Sequence, residues 1–319
     1  MKQKHYPLRK IAQVIFKKAQ ILDITGPTEV FAQVNDFLAK FDFPDGPAYK
    51  LTLVSKTKGP TAMSSGLKLI ADESFKTFQQ SELNTLLVAG GDGVYEAMYQ
   101  KDLLDFVRIQ HSTARRVASI CSGTFILAEA GLLNGKQATT HWSRCQKLTR
   151  MYPEIEVKPD KIYVKDGTLY SSAGVTAGID LSLALVEEDF GRNIALQVAK
   201  QLVVFMKRQG GQSQFSTHLA CQSAAGGFLK DTLKWMNQNP SQNMSIDTLA
   251  DRCAMSERNF SRVFKKQIGM TPGKYVEKMR VEYAASIIET QNLGFKSIAE
   301  TCGFKSEEML RRAFIRQLS

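Results

Sequence analysis

Cysteine and histidine are scarce in this sequence, and their spacing argues against two kinds of site. The cysteines are Cys121, Cys145, Cys221, Cys253 and Cys302, and only four histidines accompany them. No close C-x-x-C pair and no spacing typical of zinc ligands occurs. We therefore expect reduced thiols, no structural metal and no cofactor.

Long apolar runs are also missing. None approaches the roughly 20 residues that span a membrane, and the first ten residues are not followed by the apolar segment of a secretion signal. These absences predict a cytoplasmic protein without a membrane partner. With 319 residues, of which 43% are hydrophobic and 23% charged, the chain is long enough for a sizeable core and two or three domains.

Acidic residues are too few to balance the basic ones. The 42 Lys and Arg against 31 Asp and Glu give a net charge of +11. Residues 223–319 hold 15 Lys and Arg against 10 Asp and Glu, so the excess is denser at the C-terminal end. This distribution suggests a polyanionic partner but is weak support by itself, since basic surfaces are often only solvated.

The first 200 residues alternate strand-like and helix-like segments. Short β-rich runs lie at 12–18, 49–56, 84–91 and 116–120, and helical spacing follows Gly26, Cys121 and the region around 103–109. This alternation predicts an α/β fold with a mainly parallel sheet covered on both faces. Unusual turns at 23–27, 89–93 and Cys121 follow strands, so we expect them to line one pocket at the carboxyl ends of the strands.

Cys121 lies between an apolar strand and a helix, with the small residues Ser119 and Gly123 on either side. This is the pattern of a nucleophile elbow. A helix that begins at a thiol lowers the thiol pKa, so Cys121 is expected to be partly thiolate at neutral pH. His141 follows twenty residues later as a possible base or hydrogen-bond donor for the sulfur.

A polar segment at 207–216 carries two glycines and predicts a linker, after a helix expected over 194–206. Beyond it a helix, a turn and a second helix occur twice, at an offset of 49 residues in the first helix and 50 in the second. Each copy has the pattern of a helix-turn-helix unit, with Ser256 and Ser306 as N-caps of the second helices. One helix from Pro272 to about Thr290, about 28 Å long, is expected between the copies.

The outer faces of the two second helices carry the residues expected to contact DNA. Arginine pairs with guanine and glutamate can accept from cytosine, whereas lysines suit phosphates. The predicted contacts are Arg258, Ser261, Arg262, Lys265 and Lys266 in the first copy, and Lys305, Glu307, Glu308, Arg311, Arg312 and Arg316 in the second. The opposite faces, with Phe260, Phe264, Leu310 and Phe314, are assigned to the core.

These C-terminal residues resemble the DNA-binding domain of the AraC/XylS family of transcription regulators. The similarity lies in Ile246–Cys253, Met255–Phe260, Gly269–Gly273, Arg280–Ala284 and Ile298–Phe304. It implies double-stranded operator DNA as a partner, RNA polymerase as a further one, and base reading by Arg258, Arg262, Glu308 and Arg312. The sequence ends at Ser319, whereas members of this family usually continue with a short further helix.

The N-terminal part resembles the PfpI-like branch of the class I glutamine amidotransferase superfamily. The matching segments are Leu22–Phe31, Leu87–Gly91, Ser119–Phe125 and Ala138–Trp142. The resemblance implies a flavodoxin-like sandwich, usually dimeric, that senses a small metabolite. Known members respond to amino acids and quaternary amines, which makes these classes the expected effectors.

Several roles for Cys121 stay open. Amidotransferases of this superfamily need a histidine followed two residues later by glutamate. The resemblance therefore disfavours a glutaminase, because Ser143 stands two residues after His141. A hydrolase or hydratase would use Cys121, His141 and Asp23, with Gly90 and Gly91 donating N–H groups to an oxyanion. The same thiol could instead act as a redox sensor, or it could be kept only for packing.

The interpretation favoured by the sequence is a ligand sensor without enzymatic activity. Its ligand-binding residues would be Asp23, Gly90, Gly91, Cys121, Ser122 and His141. We expect a sensor domain over 1–207, a linker over 208–222 and a DNA-binding domain over 223–319. Two copies of the chain are expected to form a homodimer that regulates transcription.

Overall fold

The computed structural model describes residues 7–40, 47–78, 83–206, 211–212, 228–290 and 293–318. The chain forms two compact units, one over Met1–Arg208 and one over Gln209–Ser319. Within the described ranges, no helix is both long and apolar enough to cross a membrane. The predicted linker, 208–222, lies almost entirely outside the described residues.

The first unit is built on a mainly parallel sheet. Its strands are β1 (Arg9–Val14), β2 (Tyr49–Ser55), β5 (Glu73–Ser74), β6 (Thr85–Val88), β7 (Arg116–Ile120), β10 (Tyr163–Asp166) and β11 (Leu169–Ser172). They are ordered β10-β11-β7-β6-β1-β2-β5, and β10, at one edge, runs antiparallel to β11. Two small pairs lie outside this sheet, β3 (Gly59–Ala62) with β4 (Lys68–Ala71), and β8 (Gln137–Ala138) with β9 (Glu156–Val157).

Helices cover both faces of this sheet. They are α1 (Ile21–Ala39), α2 (Val94–Ala97), α3 (Lys101–Thr113), α4 (Thr124–Glu129), α5 (Cys145–Met151), α6 (Ala177–Phe190) and α7 (Arg192–Gln201). Consecutive strand residues point to opposite faces, so Leu86 belongs to one hydrophobic cluster and Leu87 to the other. Both leucines are fully buried, which explains the continuous apolar runs of the central strands.

Helix α1 begins earlier than the sequence pattern suggested. Asp23 to Pro27, predicted to be a turn, form part of its first turns. Pro27 has no N–H to donate to the Asp23 carbonyl, and the Gln13 side chain donates to that carbonyl instead, at 2.9 Å. The buried Gln13 side chain thus supplies the hydrogen bond that Pro27 cannot, and the helix continues through Pro27.

Helix α7 ends earlier than expected. The predicted helix extended to 206, but α7 ends at Gln201, and Val203 has a positive φ of 56°. Val203 is 90% exposed and Phe205 is 79% exposed. The apolar spacing beyond Gln201 therefore does not reflect a buried helical face in this unit.

The second unit is helical. Its helices are α8 (Phe228–Gln238), α9 (Ile246–Arg252), α10 (Glu257–Ile268), α11 (Pro272–Thr290), α12 (Phe295–Thr301) and α13 (Glu307–Leu318). The predicted N-caps are confirmed: the Ser256 hydroxyl accepts from Asn259 N–H at 3.4 Å, and the Ser306 hydroxyl from Met309 N–H at 3.2 Å. The single helix between the two copies is confirmed as well.

Candidate functional site

A cavity of about 160 Å³ lies in the first unit where β6 and β7 end. Its lining consists of Gln20, Gly91, Asp92, Cys121, Ser122, His141, Ser143, Arg144 and Val175. Strands β7, β6 and β1 are neighbours in the sheet, so the segments that follow them meet at one edge. The structure therefore brings together Gly91, Cys121, Ser122 and His141 of the six ligand-binding residues suggested by the sequence.

The turn at Cys121 is a strained elbow between β7 and α4. Cys121 has φ of 55°, in the left-handed region that non-glycine residues seldom adopt. The elbow packs directly on the end of β6, since a Cβ added at Gly123 would lie 2.4 Å from the Val88 carbonyl oxygen. Glycine at 123 is thus required for the close approach that holds the thiol at the cavity.

Asp23 lies behind the thiol and not in the cavity lining. Its side chain is fully buried, and its Oδ2 accepts from Gly90 N–H at 3.0 Å. Burial raises the pKa of Asp23 to about 7, although the Gly90 N–H and the nearby Cys121 thiol both favour the ionised carboxylate. Asp23 is therefore a buried partner of Cys121, and it is not available as an acidic group for a ligand.

The expectation of a partly ionised thiol is wrong. Burial, together with the charge of Asp23, raises the pKa of Cys121 to about 12. The N–H groups of Ser122 and Val175 lower it, as a helix start should, but they do not offset desolvation. Only 8% of Cys121 is exposed, so at neutral pH the residue is a protonated thiol at the cavity wall.

The N–H groups that were expected to stabilise an oxyanion have partners within the protein. Gly90 N–H donates to Asp23, and Gly91 N–H donates to the Ser122 hydroxyl at 2.9 Å. The same hydroxyl donates back to the Gly91 carbonyl at 3.1 Å. The Gly90–Gly91 segment therefore fixes Ser122 and Asp23 and leaves no oxyanion hole at the predicted place.

His141 is held by groups other than the Cys121 sulfur. Its Nδ1 shares a hydrogen bond with the Ser143 hydroxyl at 2.8 Å, and Ser143 N–H lies 3.3 Å from the same nitrogen. Its ring packs on the backbone at Gly174, where an added Cβ would lie 2.0 Å from Cδ2. Burial and the charge of Arg144 lower the pKa of His141, which keeps the ring neutral at pH 7.

Two charged residues of the cavity lining, Asp92 and Arg144, are not among the six ligand-binding residues predicted from the sequence. Arg144 Nη2 lies 3.3 Å from Asp92 Oδ1, and the Asp92 side chain is 79% exposed. The Arg144 guanidinium also lies over the Tyr95 ring, 5.5 Å from its centre. Arg144 lies three residues after His141, so its position on the chain was the one signal that could have indicated it.

The predicted DNA contacts lie on α10 and α13, except Lys305, which precedes α13. Arg258, Arg262, Lys265, Lys266, Lys305, Glu307, Glu308, Arg311 and Arg312 are exposed, and Ser261 is half-buried. Phe260, Phe264 and Leu310 are buried and Phe314 is partly buried, as predicted. The sequence therefore separated the polar and core faces of both helices correctly.

Two of the expected base-reading arginines are paired along their own helices. Arg262 donates to Asn259 at 2.9 Å, and Arg312 Nε lies 2.8 Å from Glu308. Exposed pairs of this kind stabilise a helix by only about 0.3–0.5 kcal/mol, so DNA could displace them at little cost.

Arg316 differs from the expectation of a phosphate contact. Its guanidinium forms two bonds to Glu277 of α11, at 2.7 and 3.3 Å. This paired geometry ties α13 to α11. We therefore assign Arg316 to packing between these helices.

Comparison with protein families finds a matching family model for each part of the chain. The model of the DJ-1/PfpI family matches residues 9–188, and a helix-turn-helix domain model matches residues 249–319. Isonitrile hydratase of Pseudomonas putida is 38% identical over 193 residues, which cover 60% of this chain and 77% of that protein. The HTH-type transcriptional regulator CdhR of Pseudomonas aeruginosa is 26% identical over 266 residues, or 83% of this chain and 78% of that protein.

Solved structures agree on the fold of the first unit. A THiJ/PfpI family protein from Pseudomonas syringae has a TM-score of 0.55 and 27% identity, over 64% of this chain and 78% of that one. An AraC family transcriptional regulator from Pseudomonas putida has a TM-score of 0.50 and 22% identity, over 61% of this chain and 99% of that one. Together these matches confirm the predicted fold class and both resemblances: the chain belongs to the DJ-1/PfpI family and continues into a helix-turn-helix domain of the AraC type.

Proposed function

We propose that this protein is a sequence-specific transcription regulator whose DJ-1/PfpI unit binds a small metabolite in the Cys121 cavity. The observation that carries the proposal is the pair of serine-capped helices, α10 and α13, which expose arginines in the same chain as a polar cavity. Arginine on a helix that fits the major groove is the commonest means of reading guanine. Similar proteins named as transcriptional regulators add support.

The cavity favours a small ligand that carries both charges. Its volume of about 160 Å³ lies below the roughly 300–1,000 Å³ typical of sites for drug-sized ligands. Asp92 and Arg144 offer opposite charges, and Gln20 and Ser143 add polar groups. An amino acid or an amine with a carboxylate would complement these groups, with its ammonium at Asp92 and its carboxylate at Arg144.

DNA binding is tested by selecting duplexes from a random library with the full-length protein, then measuring affinity for the selected sequence and for a scrambled one. Selective binding supports the proposal, and equal binding of both duplexes contradicts it. A specific site is normally bound about 10³–10⁷-fold more tightly than other DNA at physiological salt.

Ligand binding is tested by a thermal-shift screen of the full-length protein against amino acids, quaternary amines and polyamines. A ligand of the native state at 100 times its Kd stabilises by about 2.7 kcal/mol, which raises the Tm of the first unit. Arg144→Gln should abolish the shift for carboxylate ligands, whereas Arg150→Gln, an exposed change on the helix that follows Arg144, should preserve it. Equal shifts in both variants would remove Arg144 from the site.

We further propose that the protein acts as a homodimer, because two copies of a paired helix-turn-helix domain would bind a repeated operator with a gain in effective concentration. Light scattering with and without operator DNA tests this state. A monomer under both conditions contradicts it.

The second candidate function is hydration or hydrolysis at Cys121. It is favoured by the buried Asp23, whose pKa of about 7 suits a group that accepts the thiol proton. The similarity to isonitrile hydratase gives the probe for the test, an isonitrile incubated with the full-length protein. Consumption that is lost in Cys121→Ala would establish the enzyme, and an unchanged isonitrile would exclude this reaction. A thiol redox sensor is not proposed, since burial raises the pKa of Cys121 and no neighbouring base that would form the thiolate is specific to oxidation.

A further inference from the structure

One arginine connects three segments of the second unit. Arg280, on α11, donates from Nε to the Pro240 carbonyl at 2.9 Å and from Nη2 to the Gln242 carbonyl at 2.7 Å. Both carbonyls belong to the segment between α8 and α9, immediately before the first helix-turn-helix copy. The guanidinium is half-buried and points two fixed donors at main-chain oxygens.

The turn of the second copy lies against the same guanidinium. Gly303, between α12 and α13, has φ of 78°. A Cβ added there would lie 2.8 Å from the Arg280 Cζ and 2.6 Å from the Pro240 carbonyl oxygen. Glycine at 303 therefore allows the two copies to meet across Arg280.

The described residues of the second unit form two distinct hydrophobic clusters, one for each copy. Tyr275, Val276 and Met279 of α11 belong to the first cluster, whereas Ala284 and Ile287 belong to the second. Arg280 lies on α11 between the residues of the first cluster and those of the second. Among the described residues, the two copies are therefore connected by α11, by the polar contacts of Arg280 and by the approach of Gly303 to the Pro240 carbonyl.

We propose that Arg280 is a positioning residue that fixes the distance and rotation between the recognition helices α10 and α13. Each recognition helix would contact one short DNA segment, here called a box. In this role Arg280 determines which spacing between the two boxes the protein accepts. The inference rests on the proposed DNA-binding function. It adds that selectivity for box spacing depends on a residue that contacts no base.

The geometry of DNA explains why a small loss of rigidity should be measurable. One inserted base pair moves a box by about 3.4 Å and rotates it by roughly 35° about the duplex axis. A rigid pair of recognition helices cannot engage both boxes after this change. Two recognition helices connected only by a helix that bends or twists more freely can still contact both boxes. Their effective concentration at the original spacing is then lower.

The test uses the full-length protein and the duplex selected by the wild type, together with duplexes carrying one or two extra base pairs between the two boxes. We expect the wild type to lose at least about tenfold in affinity on each insertion. Arg280→Met should bind the original duplex less tightly and discriminate against the insertions by less than about threefold. Lys274→Met removes one positive charge from an exposed position of the same helix and should keep the wild-type discrimination.

A second substitution makes the result independent of folding problems. Arg280→Lys keeps the charge but cannot bond both carbonyls in the same geometry, so it should also relax spacing selectivity. The inference is overturned if both Arg280 variants lose affinity equally for all spacings, which would indicate a contribution to charge or stability alone. If the wild type selects no sequence at all, the proposed DNA-binding function fails, and the inference that rests on it is overturned with it.

Discussion

Replacement of Asp23 by Asn should stabilise the first unit more at pH 8 than at pH 5. The folded protein holds the Asp23 carboxyl with a pKa of about 7, against an ordinary value of 3.8. At pH values between 3.8 and about 7, the Asp23 carboxyl loses its proton in the unfolded chain but keeps it in the folded protein. Stability therefore falls as pH rises from about 4 to about 7, and the full cost remains above pH 7.

The magnitude follows from the difference between the two pKa values. At about 1.4 kcal/mol per pKa unit, the cost is roughly 1.6 kcal/mol at pH 5 and about 4 kcal/mol at pH 8. Asn carries no charge and removes this dependence, whatever constant effect its amide has on the bonds to Gly90 and Cys121. The stability of Asp23→Asn relative to the wild type should thus improve by about 3 kcal/mol between pH 5 and pH 8.

The assay is thermal unfolding of the full-length wild type and variant at both pH values. A change of about 3 kcal/mol corresponds to roughly 6–12 °C in the Tm of a unit of this size. Asp92→Asn, at a side chain that is 79% exposed, is the matched control and should follow the wild type. If the difference in Tm between Asp23→Asn and the wild type is the same at pH 5 and pH 8, Asp23 does not titrate in this range and the reasoning is refuted.

Further substitutions test the packing of the site and the DNA contacts. Gly91→Ala would place a Cβ 2.4 Å from the Gln20 nitrogen at a φ of 127°, so we expect a loss of at least about 3 kcal/mol by thermal unfolding; a loss below about 1 kcal/mol would contradict the close approach. Phe264→Ala removes a fully buried ring and should destabilise the second unit by about 3–5 kcal/mol, leaving the transition of the first unit unchanged. Arg262→Ala should weaken specific DNA binding by about 1–3 kcal/mol and relax selectivity at one base pair, as a competition assay with base substitutions would show. Lys265→Ala should instead weaken all sequences alike and reduce the slope of log K against log salt by about 1, and a base-specific loss would contradict the phosphate assignment.

Much of the candidate site could be predicted from local sequence. The elbow at Cys121 follows from a buried strand, small neighbours and a helix, and the two serine caps follow from their place before polar helices. The exposed arginines of α10 and α13 follow from helical periodicity. These features depend on residues that are close together in the chain, so their spacing is enough to identify them.

Other features depend on contacts between distant segments. Asp23 lies on a helix and not in a turn, because Gln13 of a neighbouring strand satisfies the carbonyl exposed by Pro27. Arg144 belongs to the cavity because Asp92 from another segment faces it. No local pattern records either partner.

Local sequence patterns are enough to predict the fold class, the repeat of two helix-turn-helix units and the division of their helices into core and polar faces. These properties follow from periodicity, caps and turn residues, which act over a few positions. The ionisation of the site, in contrast, depends on how the whole domain packs. Burial raises the pKa values of Asp23 and Cys121 more than the nearby N–H groups lower them, and burial is set by the whole packed domain.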